Sequence, residues 1–276
     1  MRKLLRADFY RLFRDKIFLI ACAVMFIIGA GLPVAHYIDR VNNGTAWSPD
    51  QTAFTYALLV PILLSAVVPL FIGVEYSGGA MRNRIIAGHG RCGIYLSKLI
   101  VCAAAGEIMC AAYILPNVWL GLMLLGAFEA DFVTVFTVLM LTAALTAALA
   151  AIFAAVSMLC RNRAYSAAGC VLLSFALLFA GVHIVSALNE PEYYSAYSYS
   201  ENGVSISEDE ALNPNYLRGA KRRFYEFLQD FTPGSQALSL ANMKAEKPCT
   251  LAVYDGIIAA AVTGCGIFFF RRKDLR

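Results

Sequence analysis

Charge is scarce in this chain. Asp, Glu, Lys and Arg make up 15% of its 276 residues and hydrophobic residues 59%, whereas soluble domains carry about 25% charged residues. That deficit excludes an ordinary soluble enzyme and marks an integral membrane protein, with no nucleic-acid partner expected. Catalytic signatures are missing too. There is no G-x-x-x-x-G-K-[ST], so no P-loop can cradle ATP phosphates, and no G-x-S-x-G elbow presents a serine nucleophile. Only three histidines occur, His36, His89 and His183, without H-E-x-x-H or a carboxylate at ligand spacing; metal chemistry has no support, and no cofactor is expected. None of the eight cysteines pairs as C-x-x-C, and only Cys249 lies near the expected outer face. They read as small apolar packing residues rather than a disulfide framework. Gly88 to Gly93 spells G-x-G-x-x-G, but it follows a cationic stretch beside an apolar run, not the buried strand that a dinucleotide fingerprint requires.

What the chain has is long apolar runs, six of them: about 17–36, 54–74, 99–125, 132–159, 165–188 and 249–270. Each approaches the roughly 20 residues of a membrane-spanning helix. Sixteen lysines and arginines fall at the N-terminus, in 75–98, at 161–163 and in the C-terminal tail, against Arg40 alone in the short loops 37–53 and 126–131. Cations concentrate on the cytoplasmic side, so both termini are expected there, in the cell membrane. Residues 1–16 place Leu5, Phe9, Leu12 and Phe13 at helical spacing among Arg2, Lys3, Arg6, Arg11 and Arg14. This predicts an amphipathic helix lying in the headgroup layer; an uncleaved targeting region without further role is the alternative. The first apolar run exceeds the 7–15 residues of a signal peptide's apolar core. Small residues recurring from Thr142 onward, and Ala259 to Gly266, suit close helix packing in lipid. Pro61, Pro69 and Pro116 lie inside runs and are expected to kink them.

Residues 189–247 form the one sizeable loop, expected outside. Asn213-Pro214 gives a helix-start signature there. Leu217, Ala220, Phe224, Phe227 or Leu228, and Phe231 follow at helical steps up to Thr232-Pro233-Gly234, with Arg218, Lys221, Arg222 and Arg223 on the wet side. The loop is too small for an independent enzyme. Glu107 is the carboxylate deepest in an apolar run, with Thr142 and Thr146 at a similar depth. It is either a functional ionisable site or a protonated acid hydrogen-bonded to a neighbouring helix. Asp255 lies nearer the outer surface, within reach of water.

The order Glu75-Tyr76-Ser77-Gly78-Gly79, Arg82, Gly88, Arg91 and Ser97-Lys98 resembles the permease subunits of type-2 ABC exporters. Thr232-Pro233-Gly234-Ser235-Gln236 before the last run and the ending Phe270-Arg271-Arg272-Lys273-Asp274-Leu275 look like the same family; Ala80, where the family usually has threonine, departs from it. The resemblance covers essentially the whole chain. It implies one all-α membrane domain, 1–276, with six transmembrane helices, an N-terminal elbow helix and a cytoplasmic coupling segment, 75–98. It also implies a second permease subunit and a separate ATP-binding cassette ATPase, met through Glu75, Gly79, Arg82, Arg84, Gly88, Arg91 and Lys98. Two other functions compete. A stand-alone secondary transporter would use Glu107, yet it calls for several intramembrane charges and broken helices. A membrane scaffold or sensor would bind a ligand through its outer loop.

Overall fold

The computed structural model describes residues 1–160, 162–193, 198–201, 204–207 and 212–273. Helix α1 (Arg2–Leu12) stops at a turn, and Asp15 starts α2 (Lys16–Asn43) by accepting from the Ile17 and Phe18 amides at 2.8 and 3.3 Å. Such a cap satisfies N–H groups that a helix start leaves orphaned. A short α3 (Asp50–Ala53) leads into α4 (Tyr56–Ser77), followed by α5 (Ala80–Ile86), α6 (Arg91–Leu124), α7 (Phe132–Leu159) and α8 (Arg163–Leu188). A two-stranded hairpin, β1 (Ser198–Glu201) and β2 (Val204–Ser207), pairs Ser198 with Ser207 and Glu201 with Val204. Helices α9 (Gly219–Phe231), α10 (Pro233–Ala241) and α11 (Pro248–Arg272) complete the chain. Among the described residues, six helical segments are long and apolar enough to cross a membrane: α2, α3 with α4, α6, α7, α8 and α11. The protein is an all-α, multi-pass membrane protein.

The small-residue helix α7 lies at the centre. It is 67% buried over its apolar window, against 17% for α8 and for α11, and it packs on α4, α6 and α11. Ala and Thr side chains let its neighbours approach. The helices run on through Pro33, Pro61, Pro69 and Pro116. At Pro33 the reason is visible. Proline cannot donate to the Gly29 carbonyl one turn earlier, and the buried Asn117 of α6 donates its side-chain amide there instead, at 3.1 Å. Gly29 lies so close to α6 that a β-carbon would stand 2.4 Å from the Tyr113 carbonyl oxygen.

The 189–247 region differs most from expectation. Asn213 does not start a helix; it closes a turn by accepting from the Asn215 amide at 2.8 Å. Leu217 is buried and Gly219 takes φ +58°, so the chain turns before α9 begins five residues beyond Pro214. Pro233 ends the amphipathic pattern and also opens α10, which is not a surface helix. It packs against α4, α7 and α8, burying Pro233 to Ala237, Leu240 and Ala241. Gly181 of α8 and Gly234 of α10 make this approach possible. A β-carbon on Gly234 would meet the Leu177 carbonyl oxygen at 1.8 Å. The acidic stretch 208–210 and Tyr194 and Tyr197 lie outside the described residues.

Candidate functional site

At the end of the bundle where α4, α7 and α11 finish and α6 begins, five charged side chains converge. Asp8 comes from α1, where it shares the buried stripe with Leu4 and Leu12. Phe13, expected on that apolar face, is 55% exposed. Asp8 accepts from Lys98 Nζ at 2.6 Å, from Arg84 Nη2 and Nη1 at 2.7 and 3.2 Å, and from Ser97 Oγ at 2.8 Å. Glu75, on the last turns of α4, accepts at Oε1 from Lys98 Nζ at 2.5 Å, from Arg84 Nη2 at 2.8 Å and from Arg11. Arg11 also donates to the Phe71 carbonyl, and its guanidinium lies 4.3 Å from the Phe71 ring centroid. Asp8, Glu75 and Lys98 are at most 1% exposed.

Three cations surround two carboxylates, so each acid has more than one positive neighbour. Burial pushes the Asp8 carboxyl up, but the Arg84 guanidinium, Lys98 and Ser97 outweigh it and hold the group below its ordinary 3.8. A carboxylate that accepts several charge-assisted bonds behaves this way. Four helices, α1, α4, α5 and α6, are thereby joined through one knot of charge.

Of the seven residues expected to face an ATPase, Glu75, Arg84 and Lys98 therefore point inward. Lys98 is fully buried, because α6 begins at Arg91 and Lys98 already lies two turns inside it. Gly79 and Gly88 bracket α5 with φ +68° and +86°, a backbone that glycine adopts without strain. Arg82 lies exposed on α5, and Ile86 beside it is 72% exposed. Arg91 caps another helix: its Nη1 donates to the carbonyls of Phe270, Arg271 and Lys273 at 3.2, 2.9 and 2.5 Å. Lys273 in turn donates to the Met158 carbonyl at 2.9 Å, as does the Tyr76 hydroxyl at 2.6 Å. Cations at the last carbonyls of α7 and α11 complement the negative ends of those helices.

Among the described residues no hydrogen bond joins Glu107 to Thr142 or Thr146. Thr142 shares a 2.6 Å hydrogen bond with Tyr56, and Thr146 meets Cys110 at 3.5 Å and the Thr142 carbonyl at 2.8 Å. Glu107 is half-buried and makes no hydrogen bond or ion pair among the described residues. Asp255 does not reach water. It is 1% exposed on α11, with Gln236 of α10 as its polar neighbour.

Asp8 and Arg11 are the site residues that sequence reasoning missed. The available signal was a lone acid, four residues from Leu4 and from Leu12, in an otherwise basic helix. An acid there is unfavourable against a headgroup layer unless something inside the protein receives it.

Residues 4–181, which include every member of the charged knot, are similar to the family described as ABC-2 family transporter protein. No curated protein matches the chain.

Proposed function

Because the chain belongs to the ABC-2 family of transporter proteins, we propose that it is the permease subunit of an ATP-driven exporter. A separate ATP-binding cassette protein hydrolyses the ATP, and a second permease subunit completes the pathway. Both termini face the cytoplasm. The buried knot of Asp8, Glu75, Arg84, Lys98 and Arg11 is the observation that supports this reading. It ties the short α5, whose outer face carries Arg82 and Ile86, to the starts or ends of three longer helices. A push on α5 is then delivered to α1, α4 and α6 together rather than absorbed by a loose loop. Removing one partner from a buried ion pair strands a charge and costs about 3–5 kcal/mol, which is why such a knot moves as a unit.

In this arrangement Arg82, with Gly79 and Gly88 shaping the turns around it, meets the ATPase. Glu75, Arg84 and Lys98 transmit the movement, and Arg91 locks α6 to α11. The test is ATP hydrolysis and co-purification of the reconstituted complex. Arg82→Ala with Ile86→Asp is expected to release the ATPase or uncouple hydrolysis from export while the purified subunit stays folded. A complex that remains assembled and coupled in this double variant refutes the assignment. A secondary transporter centred on Glu107 is less well supported, since Thr142 and Thr146 are bonded elsewhere.

A further inference from the structure

Helix α9 has no buried residue, although its sequence carries a full apolar stripe. Phe224 is 57% and Phe227 45% exposed. The direction of that stripe is set by its neighbours. Phe227 and Phe231 meet Tyr254 of α11 edge-on, with centroids 5.9 and 5.6 Å apart, and Tyr225 approaches His183 of α8 at 6.4 Å. Tyr254 lies six residues inside α11, about 9 Å below its start at 1.5 Å per residue. The 25 residues of α11 span about 37 Å, and the hydrocarbon core is about 30 Å thick. The aromatic contacts of α9 therefore fall at or just below the boundary between acyl chains and headgroups. On either side of Tyr254, Val253 and Ile257 are 57% and 52% exposed, so the stripe on α9 continues the lipid-facing surface of the span.

At 100° per residue, Lys221 and Arg223 flank the Phe224 stripe on its two sides. Both are exposed, and neither makes an ion pair among the described residues. Arg222 and Arg218 are engaged elsewhere, with Glu226 at 3.2 Å and Glu192 at 3.3 Å. We propose that α9 is a lipid-binding helix: Phe224 and Phe227 enter the acyl layer, and Lys221 and Arg223 hold the phosphate of an anionic phospholipid. Apolar residues pointing into the acyl boundary with free cations at its edges are the chemistry by which interfacial helices take such lipids. The bound lipid also bears on the spans, because α9 is fastened to α10. The Thr232 and Ser235 hydroxyls are 2.5 Å apart, and Gln236 donates to the Asp230 carbonyl at 2.7 Å. This inference is independent of the ATPase assignment.

The experiment places p-benzoylphenylalanine at position 224 of the full chain, in nanodiscs of mixed phosphatidylglycerol and phosphatidylcholine. Adducts are identified by mass spectrometry after illumination. The expected result is lipid adducts enriched in phosphatidylglycerol over the bulk ratio, roughly fivefold per cation if each contributes about 1 kcal/mol. Lys221→Gln with Arg223→Gln should return the ratio to bulk. Three results overturn the proposal: adducts joining two copies of the chain, which would make the face a subunit interface; no lipid adducts; or an adduct ratio equal to bulk in the unsubstituted protein.

Discussion

Lys98 is the side chain on which the charged knot closes, since its fully buried ammonium bonds both Asp8 and Glu75, as the less buried Arg84 guanidinium also does. Lys98→Ala leaves two carboxylates buried with less compensation and is expected to cost about 3–5 kcal/mol. Thermal unfolding in detergent measures this, and a small change would mean that the arginines hold both acids by themselves. Asp8 makes a pH prediction. Its folded value lies below the ordinary 3.8, so its contribution is complete above that ordinary value and fades as pH falls through the folded value. The stability gap between wild type and Asp8→Asn should therefore be equal at about pH 7 and about pH 5 and shrink only below about pH 4. A gap that already narrows at pH 5 contradicts the assignment. Neither residue's partners were legible in the sequence. Glu75 and Lys98 announced themselves as charges beside apolar runs, but Asp8 is separated from Lys98 by ninety positions, and no local pattern reports such a meeting.

At the scale of elements, α10 is the piece whose place depends on two missing side chains, those of Gly181 and Gly234. Gly234→Ala drives a methyl group into the Leu177 carbonyl, where backbone rather than a flexible side chain must give way. Overpacking of this kind typically costs 1–3 kcal/mol, and displacement of α10 should lower the unfolding midpoint correspondingly. Gly256→Ala in α11 is the control, because nothing lies within 4 Å of the added carbon; it should be neutral or stabilise by up to about 1 kcal/mol through helix propensity. Equal effects at the two glycines would show that α10 does not pack as described. The helical pattern of α9 was readable from its spacing of phenylalanines. The insertion of α10 was not, because Pro233 to Ala241 is short and small-residued, and such a segment reads as a loop until its partners are known.

For the whole molecule, six crossings place both termini on one side of the membrane, and the distribution of lysine and arginine is the ground on which we propose that this side is the cytoplasm. Cys249, exposed at the start of α11, is a native reporter of the opposite side. An impermeant maleimide should label it in intact cells, and Cys249→Ser should abolish that signal. Protection of Cys249 until the membrane is permeabilised would reverse the topology.

Hydrophobic length and cation placement are properties of consecutive residues. Spans close to those read from the chain and the membrane class therefore followed from the sequence by itself, and the proposed sidedness rests on it alone. Which charges face a partner and which face each other depends on how helices distant in sequence are brought together. Only the tertiary structure decided that Glu75, Arg84 and Lys98 turn inward to Asp8, because at Lys98 the protein supplies two carboxylates at hydrogen-bonding distance in place of water.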